Sequence, residues 1–433
     1  MTIDGTDELD FDAVSGPLEV QRDLPLIFRW RSDSKSIAAL GLPPARTSRH
    51  EDARNAVLTE AKLAYERNSW VSFSRRPAWY VDRDRYYGGS FRYEPVLSAV
   101  ADGVGAKLLE EDRASPRTRG RQSRFRATPL LYAVLGRAPV RARLHEVIWL
   151  RDDRRQLVKY ADTALTRRLR KEIEAVNTIM AEIEVDLAGP DVQRVGSYWI
   201  VSGTYLLPAP PRVRRVFNRN SFRKGGRLYG WWQNLSSMDR KYILLNGEPV
   251  LEPDYAQIHA QIIYALKGIS LIGDAYETGE FSREWGKKAF NIGINAKNKL
   301  GAVAAISKEL KISSCNASKL LGAITAKHRQ VSDIFCSDAG VGLMKIDADI
   351  TLRAVQHCQA QGIAVLPVHD SLIVPATDAE RTAEIMKAAF EQRFPQSWPC
   401  EVRIKNPLPQ DGKNCGKRGS ACLDDELLDG AVF

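Results

Sequence analysis

The sequence predicts a mixed α/β (α+β) protein, with a basic N-terminal domain followed by a larger core. Three patterns carry this reading. From about 196 to 405, short apolar strands are interleaved with helical stretches. Residues 160–187 read as one long amphipathic helix. Upstream of it, two helical segments lead into an arginine-rich stretch that contains glycine.

In chain order, residues 1–20 begin MTIDGTDELDFDAVSG and read as a disordered acidic leader. Residues 21–150 form the N-terminal domain. In it, DARNAVLTEAKLAYER (about 53–68) and EPVLSAVADGVGAKLLEED (94–112) read as amphipathic helices, and ASPRTRGRQSRFRATPLL reads as a basic hairpin. A helix followed by a basic hairpin is the pattern of a winged helix, which sets a helix in a groove and a wing on the backbone. A plain helical subdomain with a basic loop fits the same pattern.

Residues 151–195 carry YADTALTRRLRKEIEAVNTIMAEIEVDL. Leu165, Leu169, Ile173, Val176, Met180 and Ile183 share one helical face, and Gly189-Pro190 is the expected stop. In the core, WIVSGTYLL, YILLNG and PVLEPDY read as strands, and AQIHAQIIYALKG reads as a helix. EFSREWGKKAFNIGINAKNKLGAVAAISKEL is helical with glycine breaks. MKIDADITLRAVQHCQAQG is another helix, IAVLPVHDSLIVPA a strand pair, and EVRIKNPLP a last strand before a polar tail at 406–433.

Composition narrows the partners. The 433 residues carry a formal charge of +10, with 44% hydrophobic and 27% charged residues, ordinary for a globular chain. The sequence has no apolar run long enough to span a bilayer and no signal-peptide pattern, so a cytoplasmic location without membrane contact is expected. Arginines crowd 113–143 and 211–227, interleaved with aromatics. That composition suits a phosphate backbone flanked by stacking surfaces, and Arg121, Arg124 and Arg126 are candidate nucleic-acid contacts. The six cysteines form no CxxC pair and the histidines complete no zinc pattern, so reduced thiols are expected.

Two aspartates interrupt apolar strands, Asp254 in PVLEPDYAQIHAQ and Asp370 in PVHDSLIV. Singly, each reads as a turn residue or a helix cap. Together they suggest two carboxylates on adjacent strands sharing divalent metal. Hard oxygen ligands of this kind hold Mg²⁺, which also takes phosphate oxygens from a substrate. Between them, Arg283, Lys287, Asn291 and Asn295 recur at every fourth position of one helix, with Lys288 one step round. Such a face could hold a triphosphate.

These blocks resemble, in order, the family A polymerases of the bacterial DNA polymerase I type. DYAQIHAQIIYAL (254–266) is similar to motif A, usually DYSQIELR. REWGKKAFNIGINA (283–296) is similar to motif B, an Arg-x3-Lys helix with a tyrosine further along. PVHDSLIV (367–374) is similar to motif C, usually VHDEL. GGRLYGWWQNLSS (225–237) resembles the GR…QN segment along the primer–template, and MKIDADITLRA (344–354) the helix before motif C. The likeness covers roughly residues 212–405.

The resemblance implies a right-hand polymerase with palm, small fingers (about 270–330) and a helical thumb, for which the 160–187 helix is the candidate. It implies two Mg²⁺, with Mn²⁺ able to substitute, held by Asp254, Asp370 and the backbone carbonyl of Tyr255. A primer 3′-hydroxyl would attack the α-phosphate of a nucleoside triphosphate and pyrophosphate would leave. Arg283 and Lys287 would grip the triphosphate. Arg227, Gln233 and Asn234 would meet the DNA duplex near the primer end, and His369 would be structural or primer-facing.

The chain departs from the family at several positions. Ser371 stands where motif C usually has Glu, as it does in phage-type single-subunit RNA polymerases. His259 replaces the motif A Glu under the incoming sugar. The motif B tyrosine falls on Asn295, or on Ala296 if Lys288 is the phosphate lysine; the Lys287 register keeps Arg-x3-Lys. Polar residues at the sugar wall imply relaxed discrimination between dNTP and rNTP. No carboxylate pattern for a proofreading exonuclease is expected. The first expectation is therefore a DNA polymerase acting on a primer–template of DNA or RNA. A primase or RNA polymerase is the nearest rival, and an inactive DNA-binding replication initiator is a different class. A two-metal nuclease would need more carboxylates than the motifs supply.

Overall fold

The computed structural model describes residues 23–115, 121–396 and 399–405. The expected leader, the polar tail and part of the arginine-rich hairpin lie outside them. The chain is α+β and divides into two compact units: 23–80 with 89–143, and 81–88 with 144–405. Among the described residues, no helix is long and apolar enough to cross a membrane.

In the first unit, helix Ser48–Tyr65 starts at Thr47, whose side chain accepts from the His50 amide. Its buried Glu60 accepts the Ile27 and Arg29 amides at 3.0 and 2.8 Å, and burial pushes its carboxyl up to about 7. Helix Tyr93–Gly105 is shorter than expected, because the chain turns into strand Leu109–Asp112. That strand pairs antiparallel with Ser123–Ala127, so the expected basic hairpin forms. It does not stand free as a wing. Ser123–Ala127 also pairs with Val71–Phe73, inside a four-stranded sheet. Its arginines face acids: Arg124 bonds Asp112 at 3.0 Å and Asp23 at 3.2 Å, Arg126 bonds Glu110 at 2.7 Å, and Arg121 pairs with Asp112. Arg124 and Arg126 also lie over the Trp70 ring.

The second unit is built on a six-stranded sheet. Strand Glu248–Tyr255 is its centre. It pairs with Ser371–Pro375 on one side, and with Ile243–Leu245 and Val402–Lys405 along the other parts of its length. The Asn246-Gly247 turn joins Ile243–Leu245 to the centre strand, and both residues have positive φ, as a two-residue type I′ hairpin requires. A second sheet contains Ile148–Leu150, Arg214–Asn218 and Ser221–Tyr229. Gly225 and Gly226 take φ of 73° and 84° at an irregularity in its register, which lets Arg215 Nε donate to the Gly226 carbonyl at 2.8 Å.

The expected 160–187 helix is real but shorter. It runs Ala164–Met180 behind a Thr163 capping box, and residues 185–187 are a strand rather than its continuation. Leu169, Ile173, Val176 and Met180 are buried, whereas Leu165 is exposed. The 280–310 stretch divides into Arg283–Asn295 and Lys299–Leu310, and the break is the Asn298 cap, not a glycine. Helix Ser314–Lys327 packs on Arg283–Asn295 and Lys299–Leu310, and helix Ala379–Arg393 packs on helix Gly340–Ala360, which in turn packs on strand Ser221–Tyr229. The cysteines at 315, 336, 358 and 400 are free thiols.

Gly286 marks a close approach. A Cβ there would collide with the Tyr276 carbonyl oxygen, fixing helix Arg283–Asn295 against the loop before it. In Ser314–Lys327, a Cβ at Gly322 would meet nothing within 4 Å. Gly286→Ala is therefore expected to destabilise by about 1–3 kcal/mol, from backbone overpacking. Gly322→Ala should stabilise by about 0.5–1 kcal/mol through helix propensity. Urea unfolding of the two variants checks the pair.

Candidate functional site

The two aspartates meet because of strand register. Asp254 lies opposite Ser371, and the Tyr255 amide donates to the Asp370 carbonyl at 3.4 Å. His369 and Asp370 form the two-residue turn between Leu366–Val368 and Ser371–Pro375. His369 takes φ of 55° there, a conformation costly for a residue with a Cβ. Gln257, which starts helix Ile258–Leu266 just beyond Asp254, is likewise left-handed at 57°. Both motifs therefore hold strained backbone next to a carboxylate.

The Asp370 carboxyl is pushed up to about 6, first by burial and then by the negative charges of Asp347 and Asp254. It makes no ion pair among the described residues. Asp254 is also raised, again chiefly by burial, with Lys405 opposing and Glu252 adding to the shift. Lys405 Nζ lies 2.7 Å from Asp254 Oδ2. Tyr255 is buried and donates its hydroxyl to the Met386 carbonyl at 2.6 Å. This fixes the backbone whose carbonyl is the third candidate ligand.

Two further carboxylates border the pair, and neither was among the expected site residues. Asp347 lies on the buried face of helix Gly340–Ala360, with its side chain fully buried. Arg227 bonds it at 2.7 Å, and His259 Nε2 stands 3.5 Å away. Burial pushes its carboxyl up, but His259 and Arg227 outweigh that and hold it below the usual range. Glu252, two residues before Asp254 and so on the same face of the strand, is gripped by Arg240 at 2.9 and 3.1 Å. It also accepts the Ser371 hydroxyl at 2.6 Å. The serine at the unusual motif C position is thus a buried donor to Glu252. A glutamate there would press a second negative charge on it.

On helix Arg283–Asn295 the two lysines have different surroundings. Lys287 is exposed and lowers the Asp254 pKa through space, whereas Lys288 is paired with Glu309 at 3.0 Å on the next helix. Arg283 bonds Asp274 at 2.7 Å, and its guanidinium lies over the Tyr276 ring. Tyr276, also unexpected, packs on Phe290, and its hydroxyl is pushed up to about 12 by burial and then by Asp370. His328 supports this loop. It accepts from the Tyr264 hydroxyl and donates to the Ala275 carbonyl, a tautomer required because a carbonyl can only accept. Burial lowers its pKa, which keeps that tautomer neutral.

Several expected contacts are differently employed. Arg227 reads as a duplex contact in the sequence, but its guanidinium is largely buried and bound to Asp347. Gln233 is buried and donates to the Leu228 and Pro367 carbonyls at 3.0 and 2.8 Å, so it braces the Asp370 hairpin together with Trp232. Asn234 is half-buried beside it, and the half-buried His369 ring stands edge-on to Tyr229 at 5.9 Å. The polar contact of His259 is Asp347, whereas Asn295 donates to the Asn291 carbonyl at 2.8 Å and lies against Gly340. The helix thus brings Lys287 toward Asp254, whereas Arg283 is held by Asp274 and Tyr276 and Asn295 lies at the far end. Arg121, Arg124 and Arg126 belong to the other unit.

Among the described residues, no three His, Cys, Asp or Glu side chains form a ready metal cage. The donor set nonetheless fits Mg²⁺. Two hard carboxylates are forced together with little compensating charge, and Mg²⁺ commonly takes one or two carboxylates plus waters and substrate phosphates. No protein-family model and no curated protein sequence matches the chain.

The raised Asp370 pKa has a stability consequence. An unfolded aspartate titrates near 3.9. The folded state therefore holds an extra proton between about pH 4 and about 6. Stability is higher below that window and falls as pH rises through it. Asp370→Asn removes this group's cost, so it should stabilise the protein by about 1–3 kcal/mol above neutral pH. The gain should shrink as pH falls toward 4. Thermal melts of wild type and variant across the range measure it.

Proposed function

We propose that the chain is a template-directed nucleotidyltransferase that extends a primer in the manner of a family A-like DNA polymerase, with DNA or RNA as primer–template. The observation that supports this most is the carboxylate pair, Asp254 on its strand and Asp370 in the adjoining hairpin turn, with Lys287 acting on Asp254 from helix Arg283–Asn295. In this reading the six-stranded sheet is the palm, the helices from Arg283 to Lys327 are small fingers, and Ala164–Met180 belongs to the thumb.

Asp254, Asp370 and the Tyr255 carbonyl would hold two Mg²⁺, or Mn²⁺ in their place. When bound, these ions supply Lewis-acid activation of the attacking hydroxyl and charge stabilisation at the leaving oxygen. The remaining work falls to the chain's own groups. Arg283 and Lys287 hold the triphosphate and offset charge on departing pyrophosphate. Asp274 and the Tyr276 ring hold the Arg283 guanidinium in place. Arg227 pairs with Asp347 and also lowers the Asp370 pKa directly, so it offsets part of the charge that Asp347 places on Asp370. Glu252, locked by Arg240 and Ser371, orders the strand beneath Asp254.

His259 is held by Asp347 where the resemblance places the sugar wall. An imidazole that can hydrogen-bond is compatible with a ribose 2′-hydroxyl, which favours relaxed sugar discrimination and keeps an RNA product, by a primase or RNA polymerase, as the second reading.

Primer extension with Mg²⁺ tests the proposal. Wild type should extend a primer, and Asp370→Ala and Asp254→Ala should abolish extension while duplex binding persists. A wild type that neither extends nor starts a chain would leave the DNA-binding initiator reading. Lys287→Ala should lower kcat/KM by about 10²–10³-fold, as loss of a transition-state cation does, while Lys288→Ala stays close to wild type. Single-nucleotide incorporation with dNTP and rNTP reads the sugar. A preference of about a thousandfold or more for dNTP, about 4 kcal/mol, contradicts relaxed discrimination.

A further inference from the structure

The site contains four carboxylates, and their compensating cations are unequal. Asp347 is held by Arg227 in a buried pair, and Glu252 by Arg240 in a two-point grip. Neither arginine can leave without exposing a buried charge. Asp254 differs. Its one ion-pair partner among the described residues is Lys405, on the last described strand. That strand pairs Lys405 with Glu252 and Arg403 with Asp254, so Lys405 reaches diagonally along the face to Asp254 Oδ2. The Lys405 side chain is 56% exposed, whereas that of Asp254 is 19% exposed. A half-exposed ammonium on a flexible stem can swing into water at little cost. Lys287 acts on Asp254 through space only.

We propose that Lys405 is a resident counter-ion on Asp254 that a divalent cation must displace to bind there, so that strand Val402–Lys405 sets the metal affinity of the site. This rests on the metal-ligand reading of Asp254 and Asp370. The physical reason is competition for one set of lone pairs. The ammonium and the metal both need the Asp254 carboxylate, and both cannot sit within direct contact of Oδ2. A displaced Lys405 also adds one positive charge beside the metal, which further opposes binding.

The test uses the full-length protein without nucleotide or nucleic acid, above neutral pH. Mn²⁺ is titrated and the free ion followed by electron paramagnetic resonance. Lys405→Met should bind Mn²⁺ about two- to fivefold more tightly than wild type, the range that a partly exposed ion pair supports. Lys405→Arg, which keeps the charge, should stay near wild type. Asp254→Asn and Asp370→Asn should bind much more weakly. Circular dichroism confirms that each variant is folded. If Lys405→Met binds as wild type does or more weakly, while the aspartate variants lose binding, the Lys405 proposal is overturned and the carboxylate reading stands. If the aspartate variants bind as wild type does, or no protein binds Mn²⁺, both are overturned.

Discussion

The antiparallel register that sets Asp254 opposite Ser371 forces two carboxylates into one small, half-buried volume, and much of the second unit is arranged around that fact. The backbone bond from the Tyr255 amide to the Asp370 carbonyl ties the two strands at the site. Trp232 and Gln233 hold the hairpin from behind through the Pro367 carbonyl. The left-handed backbone at His369 is tolerated because these contacts over-determine it. Without them, mutual repulsion and the turn strain would both favour opening the hairpin.

Charge is balanced by position rather than by count. The two outer carboxylates, Asp347 and Glu252, are each held by a largely buried arginine, yet their charges still raise the inner pair. The two inner ones are left raised and available, one with a detachable lysine and one with none among the described residues. A site intended only for stability would pair the inner carboxylates and leave the outer ones in water. The reverse pattern, perturbed carboxylates left without a strong cationic partner, is one that clusters at functional sites.

Much of this was legible in the sequence. Alternating apolar runs located the strands of Asp254 and Asp370, and the fourfold spacing from Arg283 located the cationic helix. The 3.6-residue stripe of the 160–187 segment was read correctly in its middle and too far at its end, because Ile183 continues the apolar rhythm into a strand. Glu252 was within reach of sequence reasoning, since it shares the strand face of Asp254. Asp347 could have been flagged as a charge inside an apolar stripe of its helix. Other features depended on tertiary register. Nothing local shows that Lys405 meets Asp254, that Tyr276 faces the aspartates, or that Gln233 is buried. In the N-terminal unit, the arginines of the basic strand were visible, but the acids opposite them were not, because strand pairing decides those partners.

The account stands on one claim, that Asp254 and Asp370 jointly hold divalent metal where nucleotidyl transfer takes place. Anomalous diffraction from crystals of the protein with primer–template, nucleoside triphosphate and Mn²⁺ tests it most directly. The account predicts anomalous peaks between the Asp254 and Asp370 carboxylates, with nucleotide phosphate oxygens on the same ions. Peaks bound elsewhere, or a nucleotide seated away from these two side chains, would contradict it.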